Sequence, residues 1–182
     1  MITQDQLIEK FPEINLIKDV NLFSKTVLTL QEAMKLGGWS IADLDEIPFT
    51  LLIPKCPVSF RTHTRAVTQV AIKAAEIMQS IYAEYYQIKM DNLIAGALLH
   101  DVGKLLEYER LNGNYTKSSS GKLLRHPFSG AGLAAKIGLP DEIVHMIATH
   151  AKEGDSGYRS PEAVIIHHAD FINFEPLRDE LK

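Results

Sequence analysis

The chain has 182 residues, 46% of them hydrophobic, which is enough for one domain with a sizeable core or for one domain with a helical extension. Its formal net charge of −4 argues against partners that are held by basic charge, such as a nucleic-acid duplex or an anionic membrane. The single cysteine, Cys56, excludes an internal disulfide framework and a cysteine-based zinc cluster.

The N-terminal stretch MITQDQLIEK lacks the apolar centre of a signal peptide, and no apolar run approaches the ~20 residues that span a bilayer. The low cysteine content also fits a reducing compartment. We therefore expect a cytoplasmic protein that has no membrane partner.

The front of the chain predicts one amphipathic helix. Apolar residues recur at helical spacing over residues 22–36, and the glycine pair that follows predicts the end of the helix. We predict that residues 1–58 form an N-terminal helical extension and residues 59–182 the main domain. The extension has three roles open to it: it caps the site, forms a homodimer contact or completes the core. Three prolines mark the boundary: Pro48, Pro54 and Pro57.

The main domain is predicted to contain five more helices, because apolar residues recur at helical spacing between turn-forming residues. Asp91 is the expected N-cap of the second of these, and Pro140 the expected first residue of the fourth. Residues 107–124 are polar and predict a mobile loop or short hairpin that turns at Asn112-Gly113, suited to a lid. The fold class is therefore all-α and bundle-like. The expected helix bounds are about residues 61–81, 91–101, 127–137, 140–150 and 161–172.

The dipeptide His100-Asp101 closes an otherwise apolar helix, where two unpaired polar groups would cost several kcal/mol. A metal ion bound by both side chains would provide the missing partner, and Lys104 follows Asp101 by one helical turn. Imidazole and carboxylate without thiolate suit a divalent ion of iron, manganese, cobalt, nickel or zinc. His167, three residues before Asp170 on the same helix face, is expected either to orient that carboxylate or to face the pocket.

His63, the stretch LLHDVGK with His100 and Asp101, and Asp170 in HHADFI follow one another in an order that resembles the HD superfamily of phosphohydrolases. The resemblance covers about residues 60–175, and it is specific because these elements occur in combination. It implies an all-helical HD-domain bundle in which these four residues hold a metal ion.

The stretch HPFSGAGLAAKIGLPDEIVHMIATH is similar to the segment that supplies two further histidines in two-metal members of that superfamily, among them the HD-GYP cyclic dinucleotide phosphodiesterases. Matched residue by residue, the resemblance implies that His126 and His150 bind a second ion and that Asp101 bridges the two ions. Ala151 and Arg159 stand where a histidine and the proline of the GYP signature are usual. These departures argue against cyclic di-guanylate as the substrate.

The resemblance implies a metal-dependent phosphohydrolase acting on a nucleotide or another small phosphorylated metabolite, with one or two divalent ions as cofactor. Two ions about 3.5–4 Å apart would lower the pKa of a bridging water, so that a hydroxide attacks the phosphoester or phosphoanhydride in line. Asp101 and Lys104 are the expected catalytic residues, because Lys104 matches the lysine that approaches substrate phosphate in the two-metal enzymes. The expected substrate-binding cations are Lys104, Arg125, Arg159 and Arg61.

Two other functions stay open at this point. Some HD proteins that this chain resembles in its six ligands are oxygenases with a mixed-valent di-iron site, and measurements of iron content and oxygen uptake would identify one. A non-catalytic module would keep the metal or a nucleotide and regulate a partner through residues 107–124 or the front helix. The enzyme is favoured because none of the six ligand positions is lost.

Overall fold

The computed structural model describes residues 2–181, which fold into helices and one small hairpin. The chain is all-α, as its sequence predicts. Within the described residues, each helix is too short or too polar to cross a bilayer. The α-helices are α1 Gln4–Lys10, α2 Val20–Gly37, α3 Phe60–Tyr82, α4 Met90–Leu99, α5 Lys104–Glu107, α6 Ser119–Leu123, α7 His126–Ile137, α8 Asp141–Thr149 and α9 Pro161–Glu180. Short 3-10 helices lie at Pro12–Leu16, Ile41–Asp45 and Lys152–Gly154, and the strands are β1 Tyr108–Leu111 and β2 Asn114–Lys117.

Capping residues fix the start of two helices that carry the site. Ser59 Oγ accepts a hydrogen bond from the backbone N–H three residues later and caps α3. Ser160 caps α9 in the same way, and Pro161 takes the first helical position, where its missing N–H leaves no bond unmade. As a result, His63 lies in the first turn of α3, as the sequence predicts.

The start of α4 differs from the prediction. Its N-cap is Lys89 rather than Asp91. The Asp91 carboxylate instead accepts hydrogen bonds from the backbone N–H groups of Lys18 and Asp19, at 2.9 and 2.7 Å. A partner distant in sequence has therefore displaced the local capping contact, and it ties the front of the chain to the main domain.

Two other helix ends also differ from the predictions. Pro140 is the N-cap of α8 and not its first helical residue. Helix α9 continues past residue 172 to Glu180, with Pro176 inside it.

Helix α4 forms the centre of the fold. It packs against α2, α3, α8 and α9, and its residues from Leu93 to Leu99 are all buried. Gly96 allows α8 to approach closely, because a Cβ atom there would lie 2.7 Å from Met146 Sδ. His100 and Asp101 follow the last residue of this helix, so the close-packed core itself fixes their positions.

The front segment shares the same core. Trp39 Nε1 donates a hydrogen bond of 2.7 Å to the Leu105 carbonyl and anchors the segment to the main domain. Of the three roles left open for it, the structure shows that the front segment completes the core, whereas the boundary at residue 58 stays a prediction. Its fully buried side chains in the continuous apolar cluster include Leu7, Phe11, Ile14, Leu30 and Met34.

Residues 108–117 form a hairpin in which β1 and β2 pair antiparallel, with Leu111 opposite Asn114. Asn112 and Gly113 both have positive φ angles, 52° and 78°. Two successive positive φ values are typical of the tight turn that asparagine and glycine favour. The predicted turn is confirmed, and the hairpin alternative is the one that the chain adopts.

A buried carboxylate joins the front segment to α3. Glu13, which is 6% exposed, accepts hydrogen bonds from Arg65 Nε at 3.0 Å and from Gln69 Nε2 at 2.7 Å. Burial alone would raise the pKa of Glu13, but the hydrogen bonds from Arg65 and Gln69 outweigh it and hold the pKa below its usual 4.5. The ionised carboxylate therefore stabilises the folded state.

We expect Glu13→Gln to lower the free energy of unfolding at pH 7 by about 2 kcal/mol, the usual worth of a hydrogen bond to a charged group. Because the folded-state pKa of Glu13 is depressed, its contribution is complete above the unfolded-state pKa and is lost as the pH falls through the folded value. Urea unfolding of both proteins at pH 7 and pH 3 measures this, and an equal difference at the two pH values would contradict it.

Candidate metal centre

Six side chains from five parts of the fold meet at one point, and each is supplied by the end or the inner face of a helix. Asp101 is central, because both of its carboxylate oxygens face histidines. One group, which we call the first group, contains His63, His100, Asp101 and Asp170. The second group contains Asp101, His126 and His150.

Asp101 belongs to both groups because its two oxygens point in different directions. Oδ2 lies 3.5 Å from His63 Nε2 and 3.4 Å from His100 Nε2. Oδ1 lies 3.3 Å from His126 Nε2 and 3.5 Å from His150 Nε2. A carboxylate placed in this way can bind two cations, one through each oxygen.

Asp170, on α9, completes the first group. Its Oδ1 lies 3.0 Å from His63 Nε2, so the first group offers two imidazole nitrogens and two carboxylates. The structure thus brings together all the residues that the resemblance predicted as ligands. Their role as ligands stays a proposal.

Hydrogen bonds on the far side of the rings decide which nitrogen faces the centre. Nδ1 of His100 lies 2.7 Å from the Ala97 carbonyl, and Nδ1 of His150 lies 2.8 Å from the Ile147 carbonyl. Since a carbonyl oxygen only accepts, each Nδ1 carries a proton, and the nitrogen whose lone pair faces Asp101 in the imidazole form is Nε2. Imidazole binds metal in this form.

The second group brings like acceptors into contact. His126 Nε2 and His150 Nε2 lie 3.2 Å apart, and Asp101 Oδ1 faces both of them. When the ring protons of His126 and His150 are on Nδ1, next to Glu107 and the Ile147 carbonyl, three lone pairs point at one another without a proton between them. A cation at this point would turn that repulsion into attraction.

Several buried atoms at this centre lack a hydrogen-bond partner among the described residues. An unsatisfied buried polar atom costs about 1–3 kcal/mol, so a cluster of them calls for a ligand. The donor set, imidazole nitrogen and carboxylate oxygen without thiolate, fits a divalent cation. The atoms that make no hydrogen bond of normal geometry are Nδ1 and Nε2 of His63, Nε2 of His100 and Oδ1 of Asp101, although His63 Nε2 lies 3.0 Å from Asp170 Oδ1.

The protonation states are compatible with metal binding. Burial lowers the pKa of His126 to about 4 and also lowers that of His63, so both rings are neutral near pH 7. For His100, burial acts in the same direction, but the Asp101 carboxylate outweighs it and raises the pKa. The carboxylates thus attract positive charge to the first group, which a cation can supply in place of a proton.

Lys104 holds the Asp101 carboxylate. Its Nζ donates hydrogen bonds of 2.6 Å to Asp101 Oδ2 and of 2.6 Å to the Phe49 carbonyl. Burial would raise the pKa of Asp101, but the Lys104 charge and the neighbouring histidines outweigh it and keep the pKa well below its usual range. Asp101 is therefore ionised and fixed in orientation.

Glu107 supports the second group, a role that the sequence analysis missed. Its Oε2 accepts a hydrogen bond of 2.6 Å from the His126 backbone and lies 3.0 Å from His126 Nδ1. Burial would raise the pKa of Glu107, but these hydrogen bonds outweigh it and lower the pKa to about 2. A carboxylate that accepts from Nδ1 turns Nε2 of the same ring towards Asp101.

We expect Glu107→Gln to weaken one cation site and leave the other intact. Loss of the charge removes the strongest acceptor for His126 Nδ1, and such supporting contacts are typically worth 10–100-fold in metal affinity. Titration calorimetry with Mn²⁺ should show two sites in the wild type, of which only one is weakened by about that factor. Glu109→Gln is the matched control, and equal weakening of both sites would contradict the assignment.

The other predicted cations have different surroundings. Arg61 Nε pairs with Asp45 at 2.6 Å, and Arg159 donates to the Thr149 and Ala151 carbonyls at 2.7 and 2.9 Å. Neither lines the cavity described below, whereas Arg125 does. His167 Nδ1 donates to the backbone carbonyl of His150 at 2.6 Å, so it braces the second group rather than Asp170.

A cavity of about 330 Å³ adjoins the centre, and its lining includes Lys104, His126 and Asp170. Two further sets of side chains line it. The basic group is Lys117, Arg125 and Lys152, and the aromatic group is Phe49, Phe171 and Phe174. Apart from Arg125, these residues were not predicted to be part of the site. Phe171 and Phe174 follow Asp170 on α9, whereas the others come from segments distant in sequence.

Comparison with known proteins gives a consistent set of matches. The model of the HD domain family matches residues 60–173. The dihydroneopterin 2',3'-cyclic phosphate phosphodiesterase of Methanocaldococcus jannaschii is 32% identical over 111 residues, which cover 59% of this chain and 43% of that protein. Ribonuclease Y of Pseudothermotoga lettingae is 30% identical over 117 residues, which cover 64% of this chain and 20% of that protein.

A third relative, the 3'-5' exoribonuclease YhaM of a Geobacillus species, is 29% identical over 133 residues, which cover 64% of this chain and 40% of that protein. The chain therefore spans less than half the length of each of these relatives. No solved structure gives a significant match.

Proposed function

Because the chain belongs to the HD domain family, we propose that it is a metal-dependent phosphohydrolase that cleaves a phosphoester or phosphoanhydride of a nucleotide or another small phosphorylated metabolite. One observation carries the proposal: the two oxygens of buried Asp101 face two separate sets of imidazole nitrogens, within 3.3–3.5 Å. This arrangement suits two cations that share one carboxylate.

The names of the relatives support this reaction class. One is a cyclic phosphate phosphodiesterase and two are ribonucleases. Both names describe enzymes that act on phosphodiester bonds. The match to the HD domain family extends over residues 60–173 and therefore includes all the proposed ligands.

The first group would hold one divalent cation and the second group another, with iron, manganese, cobalt, nickel and zinc as the candidates. When bound, such cations supply a water-derived nucleophile at neutral pH and neutralise the charge of the phosphoryl oxygens. Glu107 and Lys104 fix the orientation of His126 and Asp101 for this purpose.

Basic side chains of the cavity can bind the substrate. An ammonium group has three donors, and Lys104 uses two of them on Asp101 and Phe49, so the third can meet a phosphate oxygen in the cavity. Lys117 and Arg125 lie 3.3 and 3.5 Å from Glu107 Oε1 at the cavity wall. They can bind the anionic end of a substrate and stabilise the negative charge that develops on it in the transition state.

A product screen tests the proposal. Protein purified without chelator would be loaded in turn with Mn²⁺, Fe²⁺, Co²⁺, Ni²⁺ or Zn²⁺ and offered nucleoside monophosphates, 2',3'-cyclic nucleotides, dinucleoside polyphosphates and short RNA. We expect release of a phosphorylated product or of phosphate by the wild type and none by Asp101→Asn. Bound cations with no hydrolysis of any substrate would refute the enzyme and favour the regulatory module. Oxygen consumption by the iron form would favour the oxygenase.

A further inference from the structure

The cavity beside the metal centre has two chemically distinct regions. Two members of the basic group have acidic partners: Lys117 and Arg125 form salt bridges with Glu107 Oε1 at 3.3 and 3.5 Å, and Arg125 also lies 3.7 Å from Glu153. The aromatic group lies beside α9, which supplies Phe171 and Phe174, and the cation next to it in the cavity lining is Arg178. A ligand that fills both regions would therefore have an anionic end and an apolar end.

The aromatic rings form a continuous series that starts at the metal centre. The Phe49 ring stacks on the His63 ring at a centroid distance of 4.2 Å. The Phe174 ring meets Phe49 edge-on, at 6.2 Å and 75°. Phe49 is 1% exposed, so its faces are already covered, whereas Phe174 is half-buried and lines the cavity. Phe174 is thus the ring of this series that can still accept a partner.

Three further observations fit a flat apolar ligand beside Phe174. The Arg178 guanidinium lies 5.5 Å from the Phe174 centroid. This planar group can stack on the ring of a ligand or donate hydrogen bonds to the heteroatoms of that ring. Phe171, one turn earlier on α9, lines the same cavity. Leu51 and Leu52 also line the cavity, and Leu52 is 73% exposed, so its side chain is accessible to a ligand.

Residues 49–52 have a defined position next to the site. Lys104 Nζ binds the Phe49 carbonyl at 2.6 Å, and Thr50 Oγ1 accepts a hydrogen bond from the Leu52 backbone N–H at 3.1 Å. The same lysine holds Asp101. The apolar region and the metal centre are therefore held in a fixed spatial relation.

We propose that Phe171, Phe174 and residues 51–52 form a binding subsite for a planar heterocyclic ring, a nucleobase or a ring of similar size, of the phosphorylated substrate. The phosphate end of the same molecule lies at the metal centre and the basic group. This inference rests on the proposed function and makes its substrate more specific. A cavity of about 330 Å³ lies at the lower end of the range for small-molecule sites, which suits one nucleotide.

We expect Phe174→Ala to impair hydrolysis of substrates that have a heterocyclic base and to spare those that lack one. Stacking of a base on one aromatic side chain is worth about 10- to 100-fold. We expect kcat/KM for adenosine 5'-monophosphate, or for adenosine 2',3'-cyclic monophosphate, to fall by about that factor, chiefly through KM. Hydrolysis of ribose 5-phosphate, which lacks the base, should stay within about twofold. Phe174→Trp should restore most of the loss.

The matched control is Phe128→Ala, which removes a 53% exposed phenylalanine from α7, outside the cavity lining. Titration calorimetry with adenosine 5'-monophosphate and with ribose 5-phosphate gives a second readout that does not depend on turnover. We expect tighter binding of the nucleotide by the wild type and equal binding of the two compounds by Phe174→Ala.

The outcomes separate the two proposals. If the enzyme cleaves both compounds with equal efficiency and Phe174→Ala affects both alike, the ring subsite is refuted and the phosphohydrolase stands. If neither compound nor any other phosphate ester is cleaved, while Phe174→Ala selectively weakens nucleotide binding, the phosphohydrolase is refuted and the ring subsite stands.

Discussion

Asp101→Asn should remove cation binding from both groups and lower hydrolysis by at least about a thousandfold, the scale on which metal ions contribute to such reactions. Both groups depend on Asp101, because Oδ2 faces His63 and His100 and Oδ1 faces His126 and His150. An amide keeps the shape of the side chain but loses the charge and presents N–H donors to one of the groups. Metal content by mass spectrometry and steady-state kinetics measure the two effects.

His168→Ala is the matched control for this variant. His168 lies two residues before Asp170 on the same helix but is exposed, so its loss should change neither metal content nor rate. Circular dichroism of all three proteins verifies folding. Two cations per chain in Asp101→Asn would contradict the bridging role, whatever the rate.

The second large effect is expected for Lys104→Met, which should lower kcat/KM by about 100-fold, the typical result of removing one donor that meets developing charge. Methionine keeps the length of the side chain but removes the ammonium group, which is 2.6 Å from Asp101 Oδ2. Metal binding should persist, because the ligands remain and a competing positive charge is gone. Kinetics and metal content together distinguish this variant from Asp101→Asn.

Lys104→Met should also make folding more dependent on metal. Without a cation, the buried Asp101 carboxylate has lost its counter-charge, which costs about 3–5 kcal/mol when a buried pair is broken. Added Mn²⁺ should therefore raise the melting temperature of Lys104→Met more than that of the wild type. Lys122→Met, at an exposed lysine of α6, is the control. Unchanged kcat/KM in Lys104→Met would exclude Lys104 from the reaction.

Local patterns in the sequence predicted the fold well. Helices α2, α3, α7 and α8 lie close to their expected bounds because apolar spacing and turn residues are local signals. The positive φ values of Asn112 and Gly113 follow from the same kind of rule. The order of His63, His100-Asp101 and Asp170 carried the resemblance, and the structure places these residues in one cluster.

Contacts between residues that are distant in sequence could not be predicted from local patterns. Asp91 was expected to be an N-cap, but its carboxylate binds the backbone of Lys18 and Asp19, and no local pattern predicts these contacts. Glu107 reads as the first residue of a polar loop, yet it binds His126. Similarly, the salt bridge that holds Arg61 appears only when the front segment packs against α3. Side-chain direction at such positions is a property of the folded chain.

The measurement that most directly tests the two-cation centre is the metal content of the wild type after loading with Mn²⁺ and removal of free metal, compared with Asp101→Asn treated in the same way. The structure predicts close to two cations per chain in the wild type and fewer than one in the variant. No retained cation in the wild type, or equal content in the two proteins, would contradict it.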